Sequence, residues 1–333
     1  MIKIERQETR GKGQEWGKVC TLHLLPGASK ECGFTLVEMI MVIVITGIIG
    51  GIVAVFLKAP IQQYMDVARR ADMTDIADTA LRRITRDVRL ALPNSVRVTG
   101  TCAGGATSCF LEFLPTGSPS CAAGATCLGG GRYRADAAPS GASAGCGSLA
   151  ADVLDFTAFD TCFEVLGQMP TVAVGNQIVV YNLGITGADA YTGNTLATHN
   201  RRAVSAVGTH SISITSANAL PFDSPGHRFH VISTPVSYVC DGAGTLWRYW
   251  GYAIQDVQTK TDSIAELDAL ITVQGARAKL ANNVSSCRFT YDANVVAQRS
   301  GLVTMNLGIT ETGSGESPET VTLYSAAHVS NQP

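Results

Sequence analysis

Charged side chains are few and balanced in this chain of 333 residues. They make up 16% of the sequence, and 25 Lys and Arg residues against 27 Asp and Glu residues give a formal net charge of −2. A protein that binds nucleic acid through its phosphates needs a strongly basic surface or basic patches. The composition therefore gives no case for nucleic-acid binding, and no nucleic-acid partner is expected.

Motifs for catalysis and metal binding are missing as well. The sequence has no G-x-S-x-G motif, and the glycine-rich segments at 104–107 and 128–131 are not followed by the Lys-Ser/Thr of a phosphate loop. It has no C-x-x-C pair, and its histidines are scattered. We therefore expect no enzyme activity, no catalytic residue, no metal and no cofactor. A membrane-tethered hydrolase and a zinc site are the alternatives.

One long apolar run stands near the N-terminus, at residues 34–57. It reads FTLVEMIMVIVITGIIGGIVAVFL and carries a single charge, Glu38. As a helix, a run of this length spans the hydrocarbon core of a bilayer, which is about 30 Å thick. A signal peptide would have a shorter apolar region and a small-residue cleavage site. The run predicts a transmembrane helix, with a buried core helix as the alternative, and the nearby Lys and Arg residues leave its orientation open.

The most specific signal is the hexapeptide Gly33-Phe34-Thr35-Leu36-Val37-Glu38. It resembles the prepilin signature of the type IV pilin-like family. The resemblance implies that a prepilin peptidase/methyltransferase cuts between Gly33 and Phe34 on the cytoplasmic side and then methylates the new amine of Phe34. A glycine at the cut leaves the backbone flexible and unhindered. The expected leader, residues 1–33, is longer than most prepilin leaders.

Glu38 is the residue of this motif that is unfavourable in a membrane. A carboxylate within a membrane helix costs up to a few kcal/mol unless it is paired. The resemblance implies that the partner of Glu38 is the terminal amine of a neighbouring subunit, which makes Glu38 an assembly residue. A glutamate that snorkels to the interface or stays protonated is the alternative.

The ten cysteines indicate that the part of the chain after the membrane helix lies outside the cytosol. Cys20 and Cys32 belong to the expected leader, and cleavage would leave an even number. Disulfides persist in the bacterial periplasm and are rare in cytosol. Short spacings favour local Cys102–Cys109 and Cys121–Cys127 bridges, while the pairing as a whole stays open. The candidate disulfide cysteines are Cys102, Cys109, Cys121, Cys127, Cys146, Cys162, Cys240 and Cys287.

Apolar residues continue at helical spacing beyond the membrane run. They predict a helix over residues 34–92, kinked or interrupted at Pro60 and ended by Pro93. Asp78 stands four residues before Arg82, the favourable order for a helical ion pair. The arginines around it predict a solvated helix face with some subunit contacts, at Arg82, Arg83, Arg86 and Arg89.

The remainder, residues 93–333, predicts a β-rich periplasmic head with a Cys/Gly-rich insertion at 100–151. Alternating and apolar runs indicate antiparallel strands, and Asp241–Gly244 predicts a hairpin turn. The expected strands are 153–156, 162–166, 177–183, 228–240 broken at Pro235, 245–254, 288–292, 302–309 and 321–329. The fold class is α+β and type IV pilin-like: a long N-terminal transmembrane helix packed on an antiparallel β-sheet head with disulfides.

Two further regions resemble particular members of the type IV pilin-like family. Residues 69–72, 77–84 and 86–89 of the helix resemble the MshO biogenesis proteins of mannose-sensitive haemagglutinin (MSHA) pili, as do residues 234–240 and 246–249. The minor pseudopilin GspJ of type II secretion is more distantly similar. The resemblance implies a minor pilin or pseudopilin that helps to initiate assembly of an MSHA-like pilus in a tip complex. A tip adhesin or receptor, or a type II secretion pseudopilin, is the alternative.

The same resemblance implies a location and a set of partners. We expect a single pass through the bacterial inner membrane with the head in the periplasm, and a place at the pilus tip outside the cell. The expected partners are the prepilin peptidase/methyltransferase, other minor and major pilins, the inner-membrane assembly platform and membrane lipid.

Overall fold

A computed structural model describes most of the chain after residue 34. It divides the chain into two compact units, Met1–Ile61 and Gln62–Pro333. The expected leader lies outside the described residues. Those residues are 35–102, 107–117, 129–136, 152–192, 199–216, 218–273, 275–293, 300–313 and 317–333.

The first element is a single long helix, α1 (Leu36–Val88), of 53 residues. At about 1.5 Å per residue it is roughly 80 Å long. Thr35 caps its start, because the Thr35 hydroxyl accepts a hydrogen bond of 3.3 Å from the backbone N–H of Glu38. Pro60 lies inside the helix without ending it. Of the two effects expected of this proline, a local interruption therefore does not occur.

The helix ends at Val88, four residues before the expected end at residue 92. The last turn tightens, since the N–H groups of Leu90 and Ala91 bond to carbonyls only three residues back. Leu92 then donates its N–H to the carbonyl of Leu114 at 2.7 Å. The expected end is wrong because the chain exchanges helical hydrogen bonds for pairing with the following strand region.

Fourteen strands and a second helix, α2 (Ile264–Val273), follow α1 in the described residues. Their order alternates short hairpins with longer connections. The strands are β1 (Arg97–Gly100), β2 (Ser108–Phe113), β3 (Gly130–Tyr133), β4 (Cys162–Leu166), β5 (Gln177–Val180), β6 (Arg201–Val207), β7 (Ser211–Thr215), β8 (Arg228–Ile232), β9 (Val236–Asp241), β10 (Leu246–Trp250), β11 (Ala276–Ala281), β12 (Val284–Asp292), β13 (Ser300–Glu311) and β14 (Glu319–Ser330).

Three antiparallel assemblies contain these strands. One sheet has the order β1-β2-β9-β10-β11, and another has the order β12-β13-β14. The six strands from β3 to β8 close into a barrel in the order β3-β4-β7-β6-β5-β8. Because β2 and β9 are neighbours in the first sheet, the barrel is an insertion between two adjacent strands. The sequence did not predict this barrel.

The buried side chains of α1 belong to one apolar core together with residues of both open sheets. Its helical members are Met73, Ala77, Ala80, Leu81, Ile84 and Val88. The sheets contribute Leu111 of β2, Tyr238 of β9 and Met305 of β13, among others. The barrel has a core of its own around residues such as Phe163 and Phe229, whose rings meet edge to face with centroids 5.2 Å apart.

Several expected strands are confirmed by the structure. The strand at 162–166 is β4, and the break at Pro235 separates β8 from β9. Strands β9 and β10 form the expected hairpin. The predicted inward face of β13 is buried, at Val303, Met305, Leu307 and Ile309. The coarse class, a long apolar N-terminal helix with antiparallel sheets and disulfides, is therefore correct.

One expected strand in the middle of the chain is wrong. Residues 153–156 form no strand, because the Asp155 carboxylate accepts a 2.7 Å hydrogen bond from the N–H of Thr157 and holds the chain in a turn. The expected insertion at 100–151 includes regular strands in the part that the structure describes. It contains β2, which is almost fully buried in the first sheet, and β3 of the barrel. Residues 103–106, 118–128 and 137–151 of this segment lie outside the described residues.

Candidate assembly site

The first part of α1 has an apolar surface on every side. All large apolar side chains between Leu36 and Leu57 are exposed. Monomeric soluble proteins rarely leave contiguous apolar surface of this extent in water. The only polar side chain after Glu38 in this stretch is Thr46, whose hydroxyl donates to the carbonyl of Val42 at 2.6 Å. This helix, alone among those of the described residues, is long and apolar enough to cross a membrane.

Glu38 stands in the first turn of this apolar helix. Its own backbone N–H is satisfied by the Thr35 hydroxyl, so the first turn is stably closed. A carboxylate here also interacts favourably with the positive end of the helix dipole. The Glu38 carboxylate makes no ion pair within the part of the chain that the structure describes. A counter-charge for this carboxylate would have to come from outside the described residues.

The expected processing site precedes the helix. Gly33 and Phe34 lie outside the described residues, which begin with Thr35. Cleavage after Gly33 and methylation of Phe34 therefore remain predictions. The helix starts at Leu36, only two residues after Phe34. A new amine at Phe34 would thus stand directly before the first helical turn.

The last turn of α1 carries a different polar contact. The Asp87 carboxylate accepts hydrogen bonds from the Tyr238 hydroxyl at 2.7 Å and from Arg248 Nε at 3.1 Å. Burial, followed by the charge and hydrogen bond of Asp87, raises the pKa of Tyr238 well above its usual value. The group is a structural clamp between α1 and the first sheet. The sequence did not reveal it, because Asp87 is more than 150 positions from both of its partners.

The arginines of this part of α1 are on the solvent side, as the helical spacing indicated. Arg82, Arg83, Arg86 and Arg89 are all exposed. Arg82 forms the expected ion pair with Asp78, four residues earlier, at 2.6 Å. A pair this exposed stabilises a protein by less than about 1 kcal/mol.

Two disulfides are formed within the described residues. Cys102 is bonded to Cys109, with Cα atoms 4.7 Å apart, and Cys240 of β9 is bonded to Cys287 of β12, with Cα atoms 6.2 Å apart. The second bridge joins the two open sheets. Cys162 is also disulfide-bonded. The other candidates lie outside the described residues, at Cys121, Cys127 and Cys146.

Histidines and carboxylates of the head form no metal centre where the structure is described. No group of three or more His, Cys, Asp or Glu side chains in that part is placed to hold a metal ion. His230 of β8 is instead a partly buried histidine that belongs to no such group. Burial and the neighbouring charge of Arg228 lower its pKa to about 4.

Comparison with known proteins gives one match. Residues 28–54 match the family model of the prokaryotic N-terminal methylation motif. This segment contains Gly33, Phe34 and Glu38 together with most of the apolar stretch. No curated protein and no solved structure matches the chain. The head, by contrast with the N-terminal segment, therefore has to be interpreted from its own geometry.

Proposed function

We propose that this chain, which its methylation motif indicates to be a type IV pilin-like protein, is a minor pilin that helps to initiate assembly of an MSHA-like pilus. It is anchored in the inner membrane with its head in the periplasm, and it takes a place in a tip complex. In this proposal the chain is a structural subunit rather than an enzyme.

The observation that carries this proposal is that the two parts of α1 have different surroundings. Its N-terminal part, up to Leu57, is apolar and exposed apart from Glu38, whereas Met73 to Val88 contribute buried side chains to the head. One continuous helix thus combines an anchoring stretch with a stretch that belongs to a folded domain. This combination suits a subunit that leaves the membrane with its helix and carries its head outward.

Processing would supply the partner of Glu38. Cleavage between Gly33 and Phe34 by the prepilin peptidase/methyltransferase creates a free amine, which is methylated. The amine of one subunit then meets the Glu38 carboxylate of the next subunit in a low-dielectric environment, where an ion pair with good geometry is strong. The assembly platform in the inner membrane and neighbouring minor and major pilins complete the set of partners.

The size of the head supports a low-copy role. Residues 93–333 would have a radius of gyration of about 18 Å, hence a diameter of roughly 45 Å. In a pilus the anchoring helices pack side by side, so heads this wide would crowd one another if every subunit carried one. A terminal position relieves the crowding because no subunit stacks above the head. The resemblance of the helix to the MshO proteins agrees with this placement.

A tip adhesin or receptor is the second candidate function, and one feature of the barrel favours it. A groove of about 370 Å³ on the barrel is lined by Arg132, Arg228 and His230 together with the glycines at 129–131. Arg132 and Arg228 stand directly opposite each other on β3 and β8. Opposed like charges destabilise a strand pair, so an anionic ligand would be favoured there.

Deletion of the gene separates these functions. Loss of all pili supports the initiator, whereas intact pili that no longer adhere support the receptor. Normal pili with a loss of protein secretion support a type II secretion pseudopilin. Complementation with the unchanged chain controls for effects on neighbouring genes.

The copy number provides an independent test of the tip placement. Quantitative mass spectrometry of sheared pili should find far fewer copies of this chain than of the major pilin. Labelling should place it at filament ends. Comparable amounts of both chains along the shaft would contradict the tip placement, although not the pilin-like class.

A further inference from the structure

Strand β14 has a long edge that no described strand covers. All twelve of its residues pair with β13, and among the described residues no strand pairs with its other side. Natural edge strands are usually protected by Pro, Lys, a bulge or a very short length. β14 has no Pro or Lys, and its register with β13 has no bulge. It therefore presents backbone N–H and C=O groups to a further strand.

A groove runs between this strand and α1, within the unit Gln62–Pro333. Its volume is about 610 Å³, and residues 323–326 of β14 form one wall. The other wall is the solvent side of the helix, with Arg82 and Arg86, and the turn that follows it, with Arg89 and Leu90. Tyr324 is 66% exposed and Leu90 is 53% exposed. The groove thus offers apolar surface and cationic groups side by side.

Positive charge dominates the groove. Three arginines line it, against a single carboxylate, Asp78, which pairs with Arg82. Arg86 Nε forms an ion pair with Oδ1 of Asp87 at 3.5 Å, while the other oxygen of this carboxylate accepts hydrogen bonds from the clamp residues of the first sheet. Arg89 makes no ion pair within the described part of the chain. Two carboxylates, one of them shared with Arg248, therefore serve three arginines, and positive charge is in excess at Arg89.

The walls of the groove are held in place. The hydroxyls of Thr85 and Ser325 are hydrogen-bonded at 3.2 Å across the two elements. Arg70 of the helix forms an ion pair with Glu319 at the start of β14. A preformed groove loses little conformational freedom when a partner binds.

We propose that this groove binds an extended acidic segment of a neighbouring pilin-like subunit, which adds to β14 as a further strand. Backbone hydrogen bonds to β14 supply binding. Alternate carboxylates of the segment meet Arg82, Arg86 and Arg89, and an apolar side chain covers Leu90 and Tyr324. The inference rests on the proposed function, because it takes the partner to be another subunit of the same assembly.

A second copy of β14 does not meet this requirement. The only carboxylate of β14 is Glu319, and Arg70 already pairs with it. The side chains that alternate along its exposed face carry no carboxylate, such as Thr320, Thr322 and Tyr324. Pairing two copies would bring no free carboxylate to Arg89, so the acid must come from a different chain.

Photo-crosslinking in membranes tests this interface. The full-length chain carries Tyr324→benzoylphenylalanine and is produced together with the other pilin-like subunits of its cell. The crosslinked peptide is identified by mass spectrometry. We expect a peptide from another pilin-like subunit that carries at least two Asp or Glu residues. We also expect slower hydrogen exchange at the β14 amides in the complex.

Variants that remove arginines from the groove are compared with a variant that removes an arginine outside it. The triple change Arg82→Gln, Arg86→Gln and Arg89→Gln should lower the crosslink yield about 10-fold or more. Arg83→Gln should leave it unchanged, since Arg83 is exposed on the same helix but does not line the groove. Arg89→Gln alone breaks no described ion pair and should lower the yield measurably, even if the triple variant folds poorly.

The outcomes separate this inference from the proposed function. A crosslink to a second copy, to a peptide without acidic residues, or at full yield in Arg89→Gln would overturn the acidic-segment proposal. So would co-purification of sister subunits without any crosslink at Tyr324. If no pilin-like subunit co-purifies at all, the proposed function fails first and the inference fails with it.

Discussion

The Asp87 carboxylate lies 3.1 Å from Nε of Arg248 and so joins the last turn of α1 to β10. Both side chains are mostly removed from water, with 14% and 16% exposure. The same carboxylate oxygen accepts the Tyr238 hydroxyl. A shielded pair of this kind fixes the position of one element on another, because neither charge is solvated when the other moves away.

Asp87→Asn should therefore destabilise the head. The change leaves the Arg248 guanidinium without its counter-charge, at a cost of about 2–3 kcal/mol in the free energy of unfolding. Denaturant unfolding of the full-length chain in micelles, followed by tryptophan fluorescence, measures it. Asp78→Asn is the matched control on the same helix and should cost less than about 0.5 kcal/mol, because its pair with Arg82 is exposed. Equal effects of the two changes would contradict the clamp.

N-terminal processing gives the second prediction. The mature chain should begin with N-methyl-Phe34, since Gly33 precedes it in the methylation motif. Mass spectrometry of the N-terminal peptide from purified membranes measures both the cut and the methyl group. An intact leader, or a cut after Leu57, would rule out processing as a prepilin.

The third prediction concerns Glu38. Glu38→Ala removes a charge from the membrane helix, so insertion should be kept or improved. Cleavage after Gly33 should also be kept, whereas incorporation into pili should fall because the neighbour's amine loses its partner. Immunoblots of membranes and sheared pili compare the two steps. Glu38→Asp, which keeps the charge, is the control, and normal incorporation of the Ala variant would show the carboxylate to be dispensable.

The disulfides provide the fourth prediction. Loss of the Cys240–Cys287 bridge should cost about 4 kcal/mol, and loss of Cys102–Cys109 about 2.5 kcal/mol, because the first closes a much longer loop in the unfolded chain. Paired Cys→Ser variants measure the difference by denaturant unfolding. Alkylation of the native protein without reductant should add almost nothing. Freely alkylated thiols at these four positions would argue against an oxidised periplasmic head.

The fifth prediction is a pH dependence from His230. Its pKa is about 4 in the folded chain and about 6.5 when unfolded. Between these values the unfolded state binds a proton that the folded state does not, so the free energy of unfolding rises with pH. The rise amounts to at most about 3 kcal/mol from pH 4 to 6.5. His230→Gln should reduce this rise in the free energy of unfolding, whereas a change at the exposed His210, His210→Gln, should not. The same pH dependence in both variants would disprove the role of His230.

Local patterns in the sequence predicted the parts of the fold that depend on local chemistry. The apolar run at 34–57 and the hairpin turn at Asp241–Gly244 are properties of short segments, and both have their expected form. Contacts between distant segments have no corresponding local pattern in the sequence. Asp87 and Arg248 are 161 positions apart, and the Cys240–Cys287 pair is one choice among many.

The barrel was not predicted, because it too depends on contacts that a local sequence pattern does not show. Its strand β6 begins with Arg201 and Arg202, and arginines in sequence indicate an exposed segment. In the structure both are buried. The Arg202 guanidinium donates to the carbonyls of His199, Asn218 and Ala219, and the last two become neighbours only once β6 has paired with β7. Tertiary hydrogen bonding here overrides the local pattern.

The hydrogen bond between Thr85 and Ser325 spans 240 positions, and this separation has a consequence for biosynthesis. At 5–20 residues per second, a ribosome needs roughly 10–50 s to make the intervening chain. During that time the inward side of α1 has no native partner in β13 or β14. The barrel strands β3 to β8 are consecutive in the chain, so they can pair as soon as they emerge. The head should thus fold from its middle outward, with the helix recruited last by long-range contacts that form slowly.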